Sequence, residues 1–116
     1  MADLLVDSDV FVDHLRGARP LNRGRDTVHY STVTLCELFA GRSADESVIR
    51  HLLRPFRLHP VNAPVAMRAG RLLRRHPLGT ADALIAATAL EHELVLLTRN
   101  LKDFGSVRGL KVRSPG

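Results

Sequence analysis

At residues 4–10 the chain reads Leu-Leu-Val-Asp-Ser-Asp-Val, a short apolar run that ends in a polar turn. Three consecutive apolar residues are typical of a buried strand in a parallel sheet, because both faces of such a strand are covered. Ser8 and Asp9 can cap a helix after the turn, and Gly17 can end that helix. This stretch therefore predicts a strand, a polar strand end and a helix in direct succession.

Strands and helices continue to alternate along the chain. The apolar patterning predicts strands at residues 27–30, 56–61, 94–97 and 110–112, and helices at residues 32–41, 44–54, 65–76, 81–92 and 100–104. Thr80 is expected to cap the helix at 81–92, which is apolar on all sides and therefore buried or at a subunit interface. Alternation of this kind predicts an α/β fold with a parallel sheet, in one domain over residues 1–116.

The charge balance favours a polyanionic partner. There are 17 Lys and Arg residues against 12 Asp and Glu residues, which gives a net charge of +5. Arginine dominates the basic residues and can hold a phosphate through two parallel hydrogen bonds, which suits nucleic acid. A GC-rich genome would also favour arginine codons, so the charge supports this interpretation without deciding it.

The location expected for the chain is the cytoplasm. Its longest apolar stretch is far shorter than the roughly 18 residues that a membrane span needs, so we expect no contact with a membrane. Asp3 and Asp7 interrupt the first apolar run, which argues against a signal peptide. The single cysteine, Cys36, cannot form an internal disulfide, and we interpret it as a small core residue.

Four acidic residues fall at predicted strand ends or on helices that would face them. Asp7 ends the first strand, Asp82 lies in the first turn of the apolar helix, and Asp103 follows the strand at 94–97. Glu37 stands between apolar neighbours in the second helix, where burial of an unpaired charge would cost several kcal/mol. Ligands gather at the carboxyl ends of strands in parallel sheets, so we expect these acids to converge there.

Clustered carboxylates need a cation. Mutual repulsion raises their pKa values unless a divalent ion neutralises them, and a ligand set made only of oxygen atoms favours Mg²⁺ or Mn²⁺. The six histidines are scattered and no CxxC or HExxH motif is present, so a zinc site is not expected. Magnesium in a protein that attracts polyanions predicts phosphodiester hydrolysis.

Four segments together carry a resemblance to a known family: residues 4–10 (LLVDSDV), 31–38 (STVTLCEL), 81–87 (ADALIAA) and 97–104 (LTRNLKDF). They resemble the four motifs of PIN-domain proteins. Their order and spacing are similar to those of the VapC toxins of bacterial toxin–antitoxin pairs, and the resemblance spans essentially the whole chain. It implies a three-layer α/β/α fold with a parallel, five-stranded sheet, and metal-dependent cleavage of RNA.

The resemblance also implies roles for particular residues. The metal-binding and catalytic acids would be Asp7 and Asp82, with Glu37 and Asp103 completing the pocket. VapC-like proteins form homodimers, and a cognate antitoxin blocks their active site with its C-terminal segment.

Three further polar residues belong to the predicted site. Thr98 and Asn100 match polar positions that the family places beside the acids. Asp9 stands where the family most often has Ser, Asn or Thr, so it either enlarges the acidic shell or only caps the helix.

Two alternatives remain open from the sequence. In the first, Asp7-Ser8-Asp9 resembles the start of the nucleophile loop of haloacid-dehalogenase-type phosphatases, with Asp7 as nucleophile and Asp9 as acid/base, although Phe11 stands where that loop has Thr or Val. In the second, the chain is a PIN-like scaffold that binds RNA or a partner without cutting. The sequence names neither the RNA nor the antitoxin.

Overall fold

A parallel sheet of five strands forms the centre of the protein. The computed structural model describes residues 1–115, so Gly116, the last residue of the domain predicted over residues 1–116, lies outside the described part. The strands are β1 (Asp3–Val6), β2 (Thr27–Ser31), β3 (Arg57–His59), β4 (Val95–Leu97) and β5 (Val112–Arg113). Their order is β3-β2-β1-β4-β5, and every neighbouring pair is parallel.

Helices connect the strands and cover the sheet on both faces. They are α1 (Ser8–Leu15), α2 (Thr32–Ala40), α3 (Glu46–Leu53), α4 (Ala63–Arg75), α5 (Thr80–Glu91) and α6 (Leu101–Phe104). The predicted α/β/α architecture with a five-stranded parallel sheet is confirmed. No helix within residues 1–115 combines the length and the apolar character that a membrane span requires.

Alternate residues of the central strand pack into different cores. Leu4 and Val6 face the layer of α1, α2 and α3, where Phe11 is fully buried. Leu5 faces the opposite layer and packs against α5, whose many alanines also let α4 approach closely. The apolar character of residues 4–6 therefore follows from coverage on both faces, which places the strand end between the two helical layers.

Helix starts differ in detail from the sequence-based expectation. Asp7 is the N-cap of α1 and accepts a hydrogen bond from the Ser8 N–H group, so Ser8 and Asp9 already belong to the first turn. At α5 the N-cap is Gly79, so Thr80 is the first helical residue and the expectation that it caps this helix is wrong. No side chain caps the start of α5. The predicted end of α1 is confirmed, because Gly17 has φ +72°, a conformation that favours glycine.

Cys36 is exposed on α2, so the expectation that it is a core residue is wrong. The buried residues of this helix are Thr34 and Leu38, and the cysteine lies on its other side.

Candidate active site

Asp7 lies at the junction of β1, α1 and the end of β4. Its backbone N–H donates to the carbonyl of Leu97 at 2.9 Å, and its side chain is buried. Oδ1 accepts from the Ser8 N–H at 2.8 Å, and Oδ2 accepts from the Thr98 hydroxyl at 2.9 Å. The carboxylate is thus held in one orientation by two neighbouring strand ends.

Glu37 reaches Asp7 through one serine. The Ser8 hydroxyl lies 2.7 Å from Oε1 of Glu37 and 3.4 Å from Oδ1 of Asp7. Glu37 is exposed on α2, so the premise that it is buried among apolar neighbours is wrong, although the structure does bring it to the other acids. Ser8 was expected only as a helix cap, and its role in joining two acids was missed.

Asp82 is affected electrostatically by the other three predicted acids. It lies in the first turn of α5 and is half-buried. Burial raises the pKa of its carboxyl group above the ordinary value, and the negative charges of Asp7, Asp103 and Glu37 raise that pKa further. The four predicted acids, which come from four different segments of the chain, therefore share one electrostatic environment.

Thr98, Asn100 and Asp103 form the other wall of the site. The backbone N–H of Asn100 donates to the Thr98 hydroxyl oxygen at 3.0 Å, which directs the proton of that fully buried hydroxyl towards the acids. The side-chain amide of Asn100 donates to Oδ2 of Asp103 at 3.0 Å. Both predicted polar positions thus lie beside the acids and orient them.

Asp9 belongs to the same acidic environment. Burial and then the charge of Asp7 raise the pKa of the Asp9 carboxyl group to about 6, while the backbone N–H groups of Arg99 and Val10 and the charge of Arg99 oppose the shift. Oδ2 of Asp9 lies 3.4 Å from the Thr98 hydroxyl and 3.2 Å from the Arg99 N–H. Asp9 is therefore part of the site's hydrogen-bond network as well as of the first helical turn.

Asp13 and Arg99 also lie beside the site, and neither belongs to the predicted set of site residues. These two side chains form an ion pair at 2.5 Å, and only 15% of the Asp13 side chain is exposed. Asp13 lies four residues after Asp9, which puts both acids on the same side of α1. That spacing was the available signal, but the sequence does not show that Arg99, 86 residues away, faces it.

The donor chemistry of the site fits a hard divalent cation. All four acids offer carboxylate oxygens, their charges repel one another at Asp82, and none of the ion pairs found among residues 1–115 includes them. As the side chains stand, no three His, Cys, Asp or Glu residues in that part of the chain are grouped closely enough to hold a metal ion. Glu37 and Asp103 are exposed, so their side chains can rotate towards a cation.

Comparisons with known proteins show which family the chain belongs to. A sequence model of the PIN domain matches residues 4–110. Ribonuclease VapC10 of Mycobacterium tuberculosis is 37% identical over 120 residues, covering 93% of this chain and 90% of the relative. Ribonuclease VapC19 of the same organism is 32% identical, covering 86% of this chain and 90% of the relative.

Solved structures share the whole fold. A toxin–antitoxin complex from Klebsiella pneumoniae contains a chain of 28% identity with a TM-score of 0.78, and the match covers 99% of this chain and 98% of that one. VapBC2 from Rickettsia felis, bound to promoter DNA, has a TM-score of 0.80 at 19% identity, with 96% and 97% covered. The chain therefore belongs to the PIN-domain family, and within that family it is of the VapC type.

Proposed function

We propose that this protein is a ribonuclease toxin that hydrolyses RNA phosphodiester bonds at the carboxylate site with Mg²⁺, or alternatively Mn²⁺. The observation that carries the proposal is that the Ser8 hydroxyl joins Glu37 to Asp7, while the charges of Asp7, Glu37 and Asp103 all act on Asp82. None of the ion pairs found among residues 1–115 includes these four acids. Similarity to ribonucleases over nearly the full chain supports RNA as the substrate.

Each residue has a role that follows from its position. Asp7 and Asp82 would hold the cation from the end of β1 and the start of α5, and Glu37 and Asp103 would complete its coordination from the rim. Thr98, Asn100 and Ser8 orient those carboxylates through the hydrogen bonds described above, and Asp9 enlarges the negative charge. A divalent cation at this site supplies polarisation of a phosphate oxygen and a lower pKa for an attacking water.

The overall charge supports the same substrate. An acidic site repels phosphate by itself, but the protein carries a net charge of +5, which attracts a polyanion over a longer distance. An RNA substrate is also consistent with the expected cytoplasmic location.

A cognate antitoxin is the proposed protein partner, because the similar folds include toxins solved in complexes with antitoxins. An apolar cleft of about 340 Å³ lies between α1, α2 and α3. Val12, Leu15 and Val48 line it, and Glu37 lies on its rim. A peptide segment that filled this cleft could continue directly over the acids, which supports inhibition by steric cover.

A homodimer is proposed as well. Met67 and Leu73 of α4 are exposed, with 58% and 37% of their surfaces accessible, and would be available to a second copy. Sedimentation equilibrium of the isolated protein measures this directly.

The geometry does not favour a phosphatase with Asp7 as nucleophile. Glu37, which the Ser8 hydroxyl joins to Asp7, would have no role in that reaction. The non-catalytic scaffold is separated from the proposal by an activity measurement.

The test is cleavage of RNA by the purified protein with Mg²⁺ and with chelator, for wild type and Asp7→Asn. We expect cleavage only with the metal, and a loss on the order of 100- to 1,000-fold in the variant. Asp45→Asn is a matched control, because Asp45 is the N-cap of α3, as Asp7 is of α1, and lies outside the site. Equal cleavage by wild type and Asp7→Asn would exclude catalysis by this pocket, and an inactive wild type would favour the scaffold.

A further inference from the structure

The loop after β4 is attached to α1 at two points by one residue. The backbone N–H of Arg99 points to Oδ2 of Asp9 at 3.2 Å, and its guanidinium Nη1 donates to Oδ2 of Asp13 at 2.5 Å. Since Asp9 and Asp13 are four residues apart, Arg99 lies along one side of the helix and contacts two successive turns.

This attachment lies next to the predicted site residues. Thr98, which precedes Arg99, donates to Asp7, and Asn100, which follows it, donates to Asp103. A change in the distance between the loop and α1 would therefore move both hydrogen bonds. Of these contacts, the Asp13–Arg99 ion pair is the one in which neither side chain is a predicted site residue.

We propose that the Asp13–Arg99 ion pair is a positioning element that fixes the separation between the acids of β1 and α1 and the polar residues after β4. The inference rests on the proposed function of the site. Neither residue touches substrate in this role: Asp13 and Arg99 act through Asp9, Thr98 and Asn100.

From the position of the ion pair, we expect its loss to affect the site more than the global stability of the protein. About half of the Arg99 side chain is exposed, at 51%, and partly exposed ion pairs contribute little to global stability. The short contact with a mostly buried carboxylate nevertheless holds each of the two side chains in one rotamer. Loss of the pair should therefore loosen the loop locally without unfolding the protein.

A double-mutant cycle with Asp13→Asn and Arg99→Gln tests the proposal. The readouts are the Mg²⁺ concentration that gives half-maximal RNA cleavage, and kcat at saturating Mg²⁺. We expect each single change to raise the Mg²⁺ requirement about tenfold with a smaller effect on kcat, as for residues that orient metal ligands. The double variant should be no worse than either single one, and Arg99→Lys should recover part of the loss.

The control is the ion pair between Arg68 of α4 and Glu91 of α5. It has a similar length of 2.6 Å and similar exposure, 39% and 24%, but lies outside the site. Glu91→Gln should leave the Mg²⁺ requirement unchanged. If Arg99→Gln weakens cleavage and Asp13→Asn does not, Arg99 acts on the substrate itself and the proposal is overturned. Additive losses or no losses would overturn it too.

A second readout does not depend on activity. Hydrogen exchange of the Arg99 amide, measured by NMR, should become faster in Asp13→Asn, because the loop moves away from Asp9. If wild type cleaves no RNA but this exchange still changes, the proposed function fails while the positioning contact stands. Unchanged exchange would contradict the positioning role, whatever the activity.

Discussion

The two ends of β1 lie beside two different clusters of ionisable groups, one of acids and one of histidines. Asp7 follows the strand and belongs to the acid cluster, whereas Asp3 begins the strand and contacts His29, the first of a row of three histidines. The two ends are about 13 Å apart along the strand. Neighbouring acids raise the pKa of Asp82 in the first cluster, and neighbouring histidines lower the pKa of His59 in the second.

The histidine row is linked by direct contacts. Nε2 of His29 lies 3.0 Å from Oδ1 of Asp3, and its Nδ1 lies 2.8 Å from Nε2 of His59. Because a carboxylate only accepts, Nε2 of His29 donates to Asp3, and when His29 is neutral its Nδ1 accepts from Nε2 of His59. The ring of His59 also lies 4.3 Å from that of His92, between centroids.

Each cluster contains a group with a shifted pKa, and the shifts of His59 and Asp82 run in opposite directions. Burial, and then His92, His29 and Arg57, lower the pKa of His59, whereas burial and neighbouring acids raise the pKa of Asp82. Each of these two shifts favours the uncharged form of the group concerned, Asp82 or His59. The two clusters differ in the ligand atoms that they offer. The carboxylate oxygens of the acids suit a hard cation, whereas the nitrogens of the histidine pair are joined to each other by an N–H···N bond and do not.

The largest expected effect comes from removing one acid at the centre of the cluster. Asp82→Asn should lower RNA cleavage on the order of 100- to 1,000-fold, because a cation ligand is lost. In chelator the variant should melt at or above the wild-type temperature, since repulsion is relieved. Cleavage rates and thermal unfolding of the same samples test both. Marked destabilisation without metal would mean that Asp82 has a structural role instead.

A smaller effect is expected on stability from Asp9→Asn. The pKa of Asp9 is raised to about 6 from 3.8, so the folded state holds its proton more tightly and stability falls as pH rises through about 6. The variant should therefore be more stable by about 1 kcal/mol or less at about pH 7.5, after allowance for solvent screening, and should gain nothing at about pH 4.

Urea unfolding at the two pH values measures the Asp9 effect. Glu46→Gln is the matched control, because Glu46 is an exposed acid in the first turn of α3. A gain of the same size in Asp9→Asn at both pH values would show that the carboxylate charge is not its cause.

The smallest effect should come from the histidine row. The lowered pKa of His59 means that the unfolded chain binds more protons below about pH 6.5, so stability is lost as pH falls through the folded-state pKa. His59→Gln should reduce that acid loss by roughly a few tenths of a kcal/mol. Urea unfolding at about pH 7.5 and about pH 5 checks this. The same reduction in His51→Gln, an exposed histidine of α3, would deny His59 a special role.

Local pattern was enough to predict most of the fold. The apolar residues 4–6 are buried on both faces of the sheet, and the alternation of strands and helices gave the three layers. Element ends were less predictable, since Asp7 caps α1 from one residue earlier than expected. Which of several adjacent polar residues becomes a cap depends on backbone geometry that the sequence does not show.

The site was predictable where an acid follows a strand or opens a helix. Asp7 and Asp82 are such cases: the charge of Asp7 raises the pKa of Asp82, and the catalytic role of both residues stays a prediction. Glu37 stands among apolar neighbours, which predicted a buried carboxylate, but the residue is exposed. The Asp13–Arg99 pair and the histidine row join residues far apart in sequence, with no shared local pattern, so only the folded chain reveals them.

The most direct test of cation binding by the converging acids is a titration of Mn²⁺ into chelator-treated protein, with free Mn²⁺ followed by electron paramagnetic resonance. Wild type should bind Mn²⁺ at a saturable site, and Asp7→Asn and Asp82→Asn should each weaken binding at least about tenfold, whereas Asp45→Asn should not. Binding of equal strength in wild type and both site variants, or no saturable binding at Mn²⁺ concentrations that support cleavage, would contradict the account.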